Sequence, residues 1–434
     1  MLSRTRRWTA VPALVAAMVC GCADNPTQPP SATAAHLDAV KFWETLATTR
    51  WNLRATDLLQ GTASADLPLG VPAPPNGQAW ASRMLTYLSL AQYRAALAAS
   101  VPSASPASTN MPEIPLVSSA VAGASFTVLS SFFGARSELS EPVRQQILDY
   151  LKRTFDEDAR APGFIAAGDR IGRAVAEAVL AQAAVDRYLA VAIPPRPTEP
   201  GYWVPIPPTA ATVRSLYGVK PFFLEPEAFP FVPESESGDF LRAPRPPDIG
   251  SQALRDAAAA VYAVVTVLPL ELRAQQVEIA RKWNKVAPAG PFTAGEWNRV
   301  ADELIVSNQH NEANAARILA YANAAAFDAQ IDCFATKFKY WLPRPSQVDA
   351  RITPLLAFAI PNHPSYPSAH SCISSAFGAV LSHEFPSERE WLEDQVDEAG
   401  MSRVFAGIHY LFDIDAGHGV GERAAAKALA GSLK

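Results

Sequence analysis

Along most of this 434-residue chain the apolar residues recur every three or four positions, the spacing that gives a helix one buried face. Segments near 36–60, 78–100, 116–134, 140–155 and 169–192 form a first series, many of them rich in alanine. A second series runs near 250–268, 271–284, 295–336, 369–385, 388–400 and 402–431. Nowhere do apolar and polar residues alternate over a β-branched run, so the pattern predicts no sheet. The fold class is read as all-α, with two packed helical bundles over 36–192 and 251–434.

Residues 193–250 break the helical rhythm. They include Trp203-Val204-Pro205-Ile206-Pro207-Pro208 and Val219-Lys220-Pro221-Phe222-Phe223-Leu224. Proline removes a backbone donor and fixes φ, which excludes regular helix and central strand. Disordered segments are poor in aromatics, and this one is not. It is therefore expected to be an ordered strap lying across both halves.

One short match links the two series. Ser82-Arg83-Met84-Leu85-Thr86-Tyr87, followed by Ala91, Tyr93 and Ala95, parallels Ala316-Arg317-Ile318-Leu319-Ala320-Tyr321, followed by Ala325, Phe327 and Ala329. Either alanine-rich amphipathic helices resemble each other by chance, or the halves are related bundles of which only the second carries chemical residues.

The first 22 residues read as an export signal: Arg4, Arg6 and Arg7 precede an apolar run from Trp8 to Val19 that is too short to span a bilayer. Val19-Cys20-Gly21-Cys22 resembles a bacterial lipobox, which would place a lipid anchor on Cys22; ordinary cleavage nearby, for instance after Ala23, is the other reading. The protein is thus expected in the periplasm or cell envelope, or secreted, with residues 23–35 a flexible tether. No later stretch reads as long and apolar enough to cross a membrane, so membrane contact is expected only through the anchor. The sequence says nothing of oligomeric state.

A net charge of −5 argues against nucleic acid, whose phosphate backbone calls for a broad basic face. Any anion binding must be local. Past the leader only Cys333 and Cys372 remain, too few for a disulfide framework or a four-cysteine zinc site; they either pair or sit buried as small apolar residues.

Three blocks near the C-terminus concentrate the polar chemistry: Lys337-Phe338-Lys339-Tyr340-Trp341-Leu342-Pro343-Arg344-Pro345, His363-Pro364-Ser365-Tyr366-Pro367-Ser368-Ala369-His370, and Ser402-Arg403-Val404-Phe405-Ala406-Gly407-Ile408-His409-Tyr410-Leu411-Phe412-Asp413. A tetrahedral oxyanion needs fixed cationic donors, backbone N–H groups and a ligand aimed at its central atom. Lys337, Arg344 and Arg403 supply the cations, and each arginine offers a planar fork of donors. A helix starting after Ser368 would present a hydroxyl and amides to an anion, with His370 in its first turn placed to trade protons. His409 and Asp413 stand four apart, so on a helix they would share a face, and the carboxylate would fix the imidazole tautomer.

The order of these blocks resembles the signature of the type 2 phosphatidic acid phosphatase and vanadium-dependent haloperoxidase superfamily: Lys337, Arg344 and Pro345; then Pro367, Ser368 and His370; then Ser402, Arg403, His409 and Asp413. A wider likeness to soluble bacterial haloperoxidase-like members covers roughly 200–434. The resemblance implies a haloperoxidase-like fold. It further implies that Lys337, Arg344, Ser368, Ala369 and Arg403 bind the oxyanion, that His370 is the acid–base group, that His409 bonds to phosphorus or vanadium, and that Asp413 orients it. His363 falls where haloperoxidases carry a Phe or His near the halide path. Ala369 stands in place of the usual Gly and Pro343 in place of a frequent Trp.

Two reactions follow from the resemblance. In one, vanadate is the cofactor, and halide is oxidised with hydrogen peroxide. In the other no cofactor is needed: a phosphoester is cleaved by attack of His409, with His370 protonating the leaving oxygen and water hydrolysing the phosphohistidine.

Overall fold

The computed structural model describes residues 46–74, 77–100, 113–188, 193–205, 216, 218–224, 243–266, 269–285, 290–355 and 360–433. The leader with Cys22 and the 23–35 tether lie outside the described residues. The first series forms α1 (Ala47–Gln60), α2 (Gly77–Ser100), α3 (Glu113–Gly134), α4 (Glu141–Arg160) and α5 (Ala166–Ala184). α1 stops where Gly61 takes φ 72° and its N–H returns to Asp57 O. α4 opens on Glu141-Pro142, an acid and a proline in the first turn, both suited to a helix N-terminus. The 169–192 segment ends earlier than its apolar spacing implies. Asp186 stops it from outside the helix: its carboxylate accepts from Arg83 Nε at 2.6 Å, Tyr87 Oη at 3.1 Å and Tyr188 N at 2.8 Å, turning the chain against α2.

The second series forms α6 (Gln252–Thr266), α7 (Leu270–Lys282), α8 (Phe292–Ser307), α9 (Glu312–Tyr340), the single turn α10 (Pro345–Val348), α11 (Ala369–Glu384), α12 (Arg389–Phe405) and α13 (Leu411–Ala430). Two expectations are corrected. The segment 295–336 is two helices, because Gln309 adopts φ 55° and Asn311 caps α9 by accepting from Asn314 N at 2.9 Å. The break expected at residue 401 falls at 406–410, where Gly407 at φ 74° closes α12 with Gly407 N–H to Val404 O and Ile408 N–H to Arg403 O, a Schellman termination. Among the described residues there is no strand.

The short match between α2 and α9 extends to packing. α2 packs on α3 and α5, and α4 on α3; likewise α9 packs on α11 and α13, and α12 on α11. Both pairs of closest helices use glycines four apart. A Cβ on Gly172 would stand 1.9 Å from Ala120 O and one on Gly168 2.4 Å from Leu116 O, so only glycine allows α5 to reach α3. Gly417 and Gly421 bring α13 onto α11 in the same way, their notional Cβ atoms 2.8 Å from Ser368 O and 2.5 Å from Cys372 O. The position that is Leu116 in the first half is Ser368 in the second.

One hydrophobic cluster joins the two series, taking in Trp51, Leu88 and Val128 with Ile318, Phe377 and Val420. Contrary to the expectation from sequence, among the described residues the helical stretch Leu116–Gly134 of α3 is long and apolar enough to cross a membrane. It is 72% buried inside the protein, as its central place between α2 and α5 requires.

The described parts of the Pro-rich segment bond to both halves. Lys220 N donates to Asp186 O at 2.9 Å, Phe222 N and Phe223 N to the Asp328 carboxylate at 2.8 and 2.7 Å, and Trp203 N to Trp341 O at 2.8 Å. Burial pushes Asp328 up to about 7 even though backbone N–H groups oppose the shift. Cys333 and Cys372 are buried free thiols next to one another.

Candidate active site

The three blocks meet at one place. Lys337, in the last turn of α9 and fully buried, donates to Pro364 O at 3.0 Å, to Ser365 O at 2.7 Å and to Pro367 O. Its three N–H bonds therefore shape the loop that leads to α11. α9 ends immediately afterwards at Trp341, φ 47°, and Arg344 follows as the N-cap of α10. The buried Arg344 guanidinium spans the other two blocks: NH1 meets Ile408 O at 2.8 Å and His409 Nε2 at 2.9 Å, while Nε and NH2 reach His363 O at 3.1 Å and His363 Nδ1 at 3.0 Å.

Ser368 caps α11, its hydroxyl accepting from Ser371 N at 3.3 Å, and Ala369 and His370 open that helix. Ser368 N donates to Asp413 O at 2.9 Å, which seats the N-terminus of α11 beside that of α13. Arg403, 2% exposed near the end of α12, donates from Nε to Ser402 Oγ at 2.9 Å and from NH2 to Ala280 O at 3.1 Å.

His409 is not on a helix, a correction to the face-sharing expected from its spacing to Asp413. The Gly407 turn ends α12 and Tyr410 caps α13, so His409 precedes that helix and Asp413 is its third residue. The pair still meets through the cap: Asp413 Oδ2 accepts from His409 Nδ1 at 2.7 Å, Tyr410 N at 3.2 Å and Ser365 Oγ at 2.6 Å. Since a guanidinium can only donate, Arg344 requires a lone pair on His409 Nε2, and Asp413 requires the proton on Nδ1. Both contacts select one tautomer, with the lone pair on Nε2, where Arg344 NH1 donates to it.

Burial dominates the electrostatics. It lowers Lys337 to about 8, Arg344 to about 10 and Arg403 to about 9, and raises Asp413 to about 6. Burial, reinforced by neighbouring cations, holds His363, His370 and His409 well below the ordinary imidazole value, so all three are neutral at pH 7. Three buried cations, with Asp413 the carboxylate that acts on Lys337 and Arg344, leave excess positive charge in a low-dielectric interior. An oxyanion fits that excess, whereas a bare metal cation would be repelled. Among the described residues no group of three or more His, Cys, Asp or Glu could hold a metal ion. One imidazole set among cations therefore suits vanadium held as vanadate, or phosphate.

The structure adds groups that the sequence reading missed. Ser365 lies inside a quoted block, but no spacing rule marks its hydroxyl as a partner of Asp413. The Ala280 and Trp283 carbonyls are further removed: Trp283 O accepts from His370 Nε2 at 3.2 Å, and a backbone acceptor has no signature in sequence.

No family model matches the chain. Its structure is similar to a bacterial vanadium-dependent iodoperoxidase, with TM-score 0.65 and 19% identity over 88% of this chain and 95% of that one. It is likewise similar to a holo-type bacterial vanadium-dependent chloroperoxidase, with TM-score 0.61 and 15% identity over 86% of this chain and 96% of that one. A segment of 57 residues is 42% identical to a non-specific acid phosphatase of Salmonella typhi, covering 13% of this chain and 23% of that protein's length. The chain thus has the haloperoxidase-like all-α fold of these solved structures, and its three blocks resemble the signature of the type 2 phosphatidic acid phosphatase and vanadium-dependent haloperoxidase superfamily.

Proposed function

We propose that the chain is a vanadate-dependent haloperoxidase, oxidising halide with hydrogen peroxide. The observation that carries the reading is the His409 imidazole, whose tautomer Asp413 and Arg344 fix with the lone pair on Nε2, set among three buried cations. Two features favour this branch: the haloperoxidase-like fold over most of the chain, and His363 in contact with Arg344. Vanadate, when bound, would supply the peroxide-activating Lewis acid. Lys337, Arg344, Ser368, Ala369 and Arg403 would balance and orient its oxygens, and His409 Nε2 would ligate vanadium. Halide, hydrogen peroxide and a proton give hypohalous acid and water, and His370 is the group assigned to move that proton. His363 would line the halide side.

The second reading is a phosphoesterase at the same site, and the segment shared with an acid phosphatase favours it. Here His409 Nε2 attacks phosphorus, His370, once it has taken up a proton at Nδ1, protonates the leaving oxygen, and water cleaves the phosphohistidine. Protein reconstituted with orthovanadate should brominate a phenol-red-type dye with peroxide and bromide. Failure to do so, with vanadate-inhibited cleavage of p-nitrophenyl phosphate, would establish the second reading instead. We further propose export through the 1–22 leader and a lipid on Cys22; Cys22→Ser should then release the protein from the membrane fraction.

A further inference from the structure

The end of α7 meets the site through two backbone carbonyls: Ala280 O accepts from Arg403 and Trp283 O from His370. A carbonyl cannot donate, so His370 Nε2 must carry the proton and Nδ1 keeps the lone pair. The charged groups acting on His370 are Arg403 from α12, Lys337 from α9 and Arg344 at the start of α10. All are cations and none accepts a proton, so the Trp283 carbonyl sets the orientation of the ring.

What keeps that carbonyl in place lies on α12. Trp283, 2% exposed, donates from Nε1 to Glu398 Oε1 at 2.9 Å. The same oxygen accepts from Lys282 Nζ, which also reaches Gln395 Oε1 at 2.8 Å. The Trp283 ring packs on that of Trp297, centroids 5.8 Å apart. Glu398 thus ties the end of α7 to α12.

We propose that Glu398 is a positioning residue: by clamping the last turn of α7 onto α12 it fixes the Trp283 carbonyl against His370 and so decides which imidazole nitrogen exchanges protons with the reactant. This rests on the reading of His370 as the acid–base group of an oxyanion site. General acid–base assistance is worth about 10²–10⁴-fold, and Glu398→Ala should forfeit about tenfold of it in kcat with KM nearly unchanged. Glu398→Gln keeps an oxygen for the indole N–H and should restore kcat. The independent readout is the hydrogen-bonded Nε2–H proton of His370 in NMR spectra, assigned by its loss in His370→Gln. It should persist in the wild type and Glu398→Gln and vanish in Glu398→Ala. Should Glu398→Ala not fold, Trp283→Phe, which keeps the carbonyl but loses the indole donor, should reproduce its effects. The clamp is refuted if the proton signal and kcat survive Glu398→Ala or Trp283→Phe, or if Glu398→Gln is as impaired as Glu398→Ala. If the wild type turns over neither substrate, the functional reading fails, and the proton signal still decides the clamp.

Discussion

Asp413→Asn separates what the buried carboxylate does for stability from what it does for chemistry. Asp413 Oδ2 receives three hydrogen bonds, whereas Oδ1 has no partner among the described residues. An asparagine oriented with its oxygen in the Oδ2 position keeps all three acceptor contacts and leaves one buried NH₂ unpaired, a cost of about 1–3 kcal/mol. The protein should therefore fold, melting a few degrees lower. Chemistry should suffer more. Positive charge developing on His409 lies roughly 4 Å from the carboxylate, where an effective dielectric near 20 gives about 4 kcal/mol, or on the order of 10³-fold in rate. The sign of the pH dependence follows from the same group. Burial raises Asp413 to about 6, so it is protonated below that pH and its charge is lost there. Wild-type kcat should fall as pH drops through about 6. Asp413→Asn should be slow at every pH and lack that limb. Measuring kcat from pH 4 to 9 alongside thermal melts tests both halves, and a folded Asp413→Asn enzyme within about tenfold of wild type would refute the charge argument.

Because burial penalises Lys337, Arg344 and Arg403, orthovanadate or phosphate should raise the melting temperature, with stabilisation of about 2.7 kcal/mol at a hundredfold excess over Kd; Arg344→Ala should abolish that rise in differential scanning fluorimetry. His363→Ala should reduce halide oxidation far more than ester cleavage, and equal losses in the two assays would remove His363 from the halide side. Gly172→Ala and Gly417→Ala both force a Cβ into the backbone of a neighbouring helix, each costing about 1–3 kcal/mol. Only Gly417→Ala should also lower kcat, because it displaces α13 from Ser368, and parallel activity in the two variants would contradict that placement.

The chain's helical nature and the identity of most side chains in the pocket were legible in sequence, since apolar period and motif order are local along the chain. Lys337, Arg344, Ser368, His370, Arg403, His409 and Asp413 could all be named before any coordinates, and the α2–α9 match already hinted at the repeated packing. Boundaries and partners were another matter. The true break before α13 depends on Gly407 adopting a left-handed conformation, which takes His409 off the helix yet leaves its bond to Asp413 intact. α5 ends where Asp186 meets Arg83, about a hundred residues away in the chain. Ser365, Ala280 O and Trp283 O join the site through contacts between distant segments, two of them by backbone atoms that every residue possesses. Sequence thus determined which charges are available. Only tertiary packing decided that three cations are buried together, that three imidazoles are neutral and that the lone pair of His409 lies on Nε2, because desolvation and hydrogen-bond direction depend on what surrounds a group in space.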